Sequence, residues 1–499
     1  MSSINTTLPV SAARSAVVPS SKLGVGLLTA LVIGSMVGSG VFSLPQNMAA
    51  GAGATAITIG WAITGLGMIA LTLVFQGLAV RKPALDSGPY AYAKAGFGDF
   101  VGFNSAWGYW LSAWIGNVSY VVILFSALSY FYPAFGEGNT WQAIIAASVV
   151  VWAVHFLALA GVREAAIVNA VTTIAKVAPI LLFIGLVIAA FKMTMFSGVE
   201  APAVTTGAAA PTTGPALGSL LEQVKSTMLV TLWAFIGIEG ASVVSARASN
   251  RKDVGTATIT GLLVCLGLYV SVSLLSLGIL PRATLAALKN PSMAGVLEVA
   301  AGPWGAGFIN AALVISVLGA YLSWTLLAAE VPFVAAKSGT MPKAFATSNA
   351  AGSPTVSLWV TNGFVQLVLI ATFYASATYN ALFLIASAAI IVPYVLSGGY
   401  ALKLALTGEG YKTDENRTRD IIIGLVATTY GVWLLYAAGF KYLFLCAILY
   451  AFGILVHLWV RSERGEKAFN NSMEWALAVA LGVGGLAAAY LLWTGALTT

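Results

Sequence analysis

Charge is what this sequence has least of. Only 8% of its 499 residues are Asp, Glu, Lys or Arg, where a soluble globular chain carries roughly 25%. No long polar stretch exists that could make a separate soluble domain. With 59% of residues hydrophobic, the solvent for most of the chain must be lipid. Cysteine and histidine are nearly absent too. Cys265 and Cys446 stand far apart inside apolar runs, with neither metal-ligand spacing nor a disulfide framework, and read as small packing residues. His155 and His457 are too few and too scattered for a metal site, and read as packing or interface residues. The sequence carries no nucleophile beside a base, no metal cluster and no phosphate loop, so an enzyme is rejected and no cofactor is implied.

What fills the chain is a series of long apolar runs. A spanning helix needs about 20 mostly apolar residues. That length predicts about thirteen spans: Gly24–Ala50, Ala56–Val80, Val101–Tyr132, Trp141–Ala160, Ala165–Phe191, Val224–Ala246, Thr256–Leu280, Trp304–Lys337, Val356–Ala375, Ala381–Leu404, Ile421–Gly439, Tyr442–Val460 and Trp475–Leu492. The expected class is an all-α, multi-pass membrane protein. Residues 1–21, rich in Ser, Thr and Ala, lack a signal peptide's apolar core and read as a disordered cytoplasmic tail.

Orientation follows from the basic residues. With the N-terminus in the cytoplasm, 18 Lys and Arg fall in cytoplasmic loops and five fall outside: Lys192, Lys225, Arg282, Lys289 and Lys441. Lys176 alone is left inside the membrane, and these account for all 24. The net charge of +7 is therefore anchoring charge and does not point to nucleic acid. An odd span count puts the C-terminus outside. The outer loop Ser197–Gly218, rich in Ala, Thr, Pro and Gly, reads as a flexible connection.

Two spans carry glycine at a density a plain membrane helix does not need. The first contains Gly34-Ser35-Met36-Val37-Gly38-Ser39-Gly40, and the sixth Phe235-Ile236-Gly237-Ile238-Glu239-Gly240. Such glycine lets the chain leave helical geometry, and the freed amides and carbonyls then need partners. Close packing through small residues explains one such span. Two at equivalent places in two five-helix halves, 24–191 and 224–404, fit an inverted-repeat transporter with a mid-membrane site. Residues 406–499 add further helices after the 22–405 core. Free amides can bind a carboxylate and exposed carbonyls an ammonium group, so an amino acid zwitterion fits both ends.

Few ionisable groups remain in the hydrocarbon, and each needs a reason. Glu239 sits in the sixth-span break, where it favours a cationic side chain or a gating hydrogen bond. Lys176 has three readings: an ion pair with Glu330, replacement of a sodium ion with its ammonium holding the first and eighth helices, or a tip that snorkels to the surface. The first two predict transport without sodium. Trp233 precedes the sixth-span break and Trp324 lies midway along the eighth, where an indole face can attract a guanidinium or ammonium group or simply pack.

At these residues a resemblance emerges. The strings GSMVGSGVFSLPQNMAAGA from Gly34, LDSGPYAYAKAGFGDF from Leu85, SAWGYWLSAWIGN from Ser105, VTTIAKVAPI from Val171, LWAFIGIEGASVVSARASNRKDVG from Leu232, LSWTLLAAE from Leu322 and WLLYAAGFKYLFL from Trp433 carry it. They resemble the basic amino acid/polyamine antiporter branch of the amino acid–polyamine–organocation superfamily, most closely its bacterial arginine/ornithine antiporters. The resemblance implies the fold of the sodium-coupled leucine transporter. It implies that Gly38, Ser39 and Gly40 bind a substrate carboxylate, and that carbonyls around Ala234, Phe235 and Ile236 take the α-ammonium. Trp324 would stack on the cationic side chain, and Asn117 would contact its distal end. Trp233 would be the outer gate, with Tyr109 and Glu239 among the inner gating groups; Lys176 and Glu330 are added as coupling residues from their depth in the membrane, not from the resemblance.

The simplest agmatine exchangers of that branch have twelve spans, one fewer than here, and Lys176 belongs to only some branches. The expected activity is exchange of external arginine for internal ornithine in the cell inner membrane. Proton-coupled uptake of lysine or arginine is the near alternative, and an amino-acid sensor the distant one. The expected partners are cationic amino acids and the bilayer, not nucleic acid, with a homodimer left open.

Overall fold

The computed structural model describes residues 24–85, 88–161, 165–196, 216–239, 251–375, 378–412 and 415–497. The tail 1–21, most of the Ser197–Gly218 loop and the second half of the sixth span lie outside the described residues. Within them the regular structure is helix, and the only bridge joins Ser348 to Pro354. Among the described residues nine helices are long and apolar enough to cross a membrane, and the bent pair Leu28–Met36 with Gly40–Gly51 makes ten. The fold is that of a multi-pass membrane protein.

The remaining spans follow from geometry. Thr418–Arg464 is 47 residues long, about 70 Å if straight, more than twice a bilayer's hydrocarbon thickness. It turns back at Gly439, whose φ of 71° and ψ of 167° are not helical. Its neighbours on the tenth span show the reversal. A methyl at Gly424 would touch Leu402, whereas Cys446 lies 3.7 Å from the Ile385 carbonyl and Tyr450 donates to Ala389 at 3.0 Å. One element thus supplies the eleventh and twelfth spans. The fifth span is the helix Ala165–Ala190, and the sixth begins as Leu220–Phe235. A capping box between Ser219 and Glu222 fixes where the sixth starts.

Position in the bundle is written in composition. The third span, Asp99–Leu128, is the most buried, and the last, Ser472–Trp493, the least. The third carries small and polar residues on every side, including Ser105, Ser112, Asn117 and Ser119, all buried. The last displays Val483, Leu486 and Trp493 to lipid. Short helices Pro89–Phe97, Arg282–Ala287 and Ser292–Ala301 lie between spans where the sequence reading had only loops.

Basic residues at one end of the bundle are held by acids. Arg81 meets Glu415 at 2.8 Å and Asp420 at 2.7 Å, and Lys82 meets Glu409 at 2.5 Å. Arg461 meets Asp99 at 3.0 Å and Glu466 at 2.7 Å.

Candidate substrate site between two broken helices

The first span is helical from Val25 to Met36, opens at residues 37–39, and resumes as a 3-10 turn Gly40–Ser43 continuing into Leu44–Gly51. The two halves are bent by 42°. Among the described residues the amides of Ser39, Gly40 and Val41 donate to nothing. They stand at the start of the second half-helix, where an anion is favoured.

The sixth span stops at Phe235 and turns through residues 236–239. Gly237 has φ of +107°, and a methyl there would lie 2.7 Å from the Ser35 carbonyl oxygen. Only glycine suits both constraints. The Ser35 hydroxyl faces the Gly237 carbonyl at 2.9 Å, so the two breaks touch.

Beside the breaks lies a small cavity lined by Ser112, Ala113, Gly116, Tyr120, Trp233, Ile236 and Trp324. The glycines of the first break are needed for close approach. A methyl at Gly38 would overlap the Tyr120 hydroxyl, and one at Gly40 would sit 3.0 Å from the Trp233 ring. Trp324 reaches the same place from the eighth span, 3.2 Å from a methyl built on Gly237. Asn117 is fully buried next to Gly116, yet neither atom of its amide has a hydrogen-bond partner. A buried amide left unpaired costs about 1–3 kcal/mol, which a polar ligand would offset.

The cavity is closed at both ends. At one end the Trp233 indole donates to the Tyr379 hydroxyl at 2.9 Å, and that hydroxyl also meets Ser39 Oγ at 3.1 Å. Phe383 packs on both rings. At the other end Tyr109 and Tyr394 both donate to the buried Glu239 carboxylate, at 2.5 and 2.8 Å. Beyond Glu239 opens a larger cavity, reaching Lys82 and Pro83 at the basic end of the bundle. Ile236 lines the small cavity, and Ile238 with Glu239 the large one, so the sixth-span turn separates them.

The structure thus brings together Gly38, Ser39, Gly40, Trp233, Ile236, Trp324 and Glu239 with Tyr109. Ala234 and Phe235 are buried at the same turn, but the Phe235 ring faces Trp61 and Tyr269. Lys176 is fully buried and donates to the Gly34 carbonyl at 3.1 Å, just before the first break. It forms no ion pair with Glu330, whose side chain is exposed on the eighth span. The ion-pair reading of Lys176 and Glu330 is therefore corrected: burial drives the ammonium to a carbonyl freed near the break, not to a carboxylate. Sequence reasoning missed Ser112, Tyr120, Tyr379 and Tyr394. They are neutral residues in apolar runs and stand out only once the helices are packed. Among the described residues no group of three or more His, Cys, Asp or Glu could hold a metal ion.

A family model described as amino acid permease matches residues 23–483. The chain is 51% identical over 486 residues to an arginine/ornithine antiporter of Pseudomonas aeruginosa, covering 96% of this chain and 99% of the relative. It is 40% identical over 479 residues to an arginine/agmatine antiporter of Chlamydia pneumoniae, covering 95% and 98%. An arginine/agmatine antiporter of Chlamydia trachomatis serovar L2 is 42% identical over 463 residues, covering 91% and 93%.

Proposed function

Because the chain belongs to the amino acid permease family, we propose that it exchanges extracellular arginine for intracellular ornithine by alternating access across the cell inner membrane. The likeness to the Pseudomonas antiporter along nearly the whole chain carries this reading. A cavity beside the two breaks, walled by the Trp233 and Trp324 indoles, with free amides at the adjoining first-span break, supports it. The substrate carboxylate would meet the Ser39 and Gly40 amides and the Ser39 hydroxyl. Its α-ammonium would meet carbonyls of Ala234, Phe235 and Ile236. Trp324 would lie against the cationic side chain, with Asn117 at its distal end.

Both substrates carry one net positive charge near neutral pH, so one-for-one exchange is electroneutral. Lys176 would occupy the place of a coupling cation, so sodium is not needed. The 24–191 and 224–404 segments would be the two inverted repeats, with the N-terminus in the cytoplasm. Names of the chlamydial relatives favour agmatine as a second counter-substrate.

Labelled-arginine uptake into proteoliposomes preloaded with ornithine, agmatine or nothing tests the reading. Uptake that depends on internal ornithine and persists without sodium supports it. Equal uptake into empty vesicles under a proton gradient sinks obligatory exchange and favours proton-coupled uptake.

A further inference from the structure

We propose that Tyr379 is a positioning residue, the middle of a one-way hydrogen-bond chain from the Trp233 indole to Ser39 that arms Ser39 as a carboxylate donor. The inference rests on the reading of Ser39 as a carboxylate ligand. Its direction comes from the chemistry of one member. An indole N–H can only donate. Trp233 therefore fixes the Tyr379 oxygen as acceptor, at 2.9 Å. The phenol proton must then point elsewhere, and Ser39 Oγ at 3.1 Å is the acceptor within reach. Ser43 lies near the same phenol, but its hydroxyl makes no hydrogen bond of good geometry.

Ser39 Oγ makes no other hydrogen bond, so on this direction its own proton is left for a ligand. That proton lies beside the free amides of Ser39 and Gly40. Donors in a chain polarise one another, and an O–H already accepting a hydrogen bond donates more strongly. Donation to a carboxylate is the stronger, charge-assisted kind.

The chain ties substrate chemistry to the closure of the site. Trp233 is its head, and the same ring forms the cavity wall between Gly40 and Gly116. With Trp233 seated, Ser39 is polarised toward a carboxylate; with Trp233 displaced, the chain loses its first donor. Tyr379 is held for this role by burial and by Phe383 at 5.0 Å. The geometry discriminates substrates. It strengthens only the contact made by the carboxylate, so amines without one gain nothing.

The test compares the affinity of arginine with those of agmatine and argininamide, which keep the guanidinium but lack the carboxylate. The variants are Tyr379→Phe, Trp233→Phe, Ser39→Ala and Ser39→Ala/Tyr379→Phe, read by competition against labelled arginine. Ratios within one preparation do not depend on how much protein folds. Tyr379→Phe should weaken arginine about three- to tenfold while changing the amines by less than about twofold, whereas Trp233→Phe, which also alters the cavity wall, should weaken all ligands, arginine the most. On Ser39→Ala, Tyr379→Phe should add no further loss. Equal weakening of arginine and amines, or additive losses in the double variant, would overturn the chain while leaving the carboxylate site standing. A Ser39→Ala protein with an unchanged arginine-to-amine ratio would overturn the site reading itself, and the chain with it.

Discussion

Single residues show where binding is set against stability. Asn117 is buried with both amide atoms unpaired, a cost with no structural return until a ligand arrives. Asn117→Leu, close in volume, should raise thermal stability by about 1–2 kcal/mol and weaken arginine binding by at least about tenfold. A variant that loses binding without becoming more stable would mean the amide is already satisfied in the folded protein. Gly237 shows the opposite economy. Its φ of +107° and the Ser35 carbonyl 2.7 Å from a would-be Cβ leave no room for a side chain. Gly237→Ala should separate the two breaks and abolish exchange, while the protein still elutes as a folded particle on size exclusion. Retained exchange would show that the two breaks need not touch.

Elements were legible in the sequence in proportion to how much lipid alone dictates them. Apolar length placed all thirteen expected segments on a described helix, the sixth only in its first part, because an apolar run has to satisfy its own backbone polar groups in hydrocarbon. Gly34–Gly40 and Phe235–Gly240 announced the two breaks because glycine at that density lets the chain leave helical geometry, although which ring or carbonyl each glycine meets was not readable. What stayed hidden is what tertiary packing decides. Nothing in a Tyr within an apolar run separates Tyr394, bound to Glu239, from Tyr436, exposed at the surface. The Lys176–Glu330 pairing failed because depth along two helices says nothing about which face each side chain occupies. Short-range charge was equally invisible: the loop at residues 408–417 returns Glu409 to Lys82 and Glu415 to Arg81. The hydrogen bonds from those cations hold both carboxyls below their usual value of 4.5. A lowered folded value means the contacts are complete above about pH 4.5 and are lost as pH falls through the folded values. Hydrogen exchange of this loop should therefore accelerate on going from pH 6 to pH 3 beyond the intrinsic rate change. In Glu409→Gln the excess should shrink. No excess in the parent protein would mean the ion pairs do not hold the loop.

At the scale of the whole molecule, the two ends of the transport path are closed by different means. Toward the basic end, the large cavity runs up to a single layer, Tyr109–Glu239–Tyr394. At the opposite end, which is the outer one on the proposed orientation, closure is thicker. Beyond the Trp233–Tyr379 contact, Asn380 and Asn290 bond to each other at 3.0 Å, and both reach Gln46. These three amides join the second half of the first span, the segment before Ser292–Ala301, and the start of the tenth span. The Gln46 side-chain amide donates to the Ala286 carbonyl at 3.4 Å and its backbone N–H to Ser292, while Arg282 donates to the nearby Ala49 carbonyl at 2.9 Å. An uncharged latch of this kind is weak enough to open on every cycle. Asn380 takes part in two of its bonds, and a net value of about 1 kcal/mol each makes the latch worth about 2 kcal/mol, or about 30-fold in population. Asn380→Ala should shift the molecule toward an outward-open state by that order. Because Cys265 and Cys446 are both buried, a single Ala113→Cys in the small cavity, with both native cysteines replaced by Ala, reports accessibility cleanly. Its labelling by an impermeant thiol reagent added outside should quicken at least about tenfold when Asn380→Ala is added, and excess ornithine should slow it again. Labelling that stays unchanged would leave Trp233 and Tyr379 as the whole of the outer barrier, and the amides as mere packing of the loop above it.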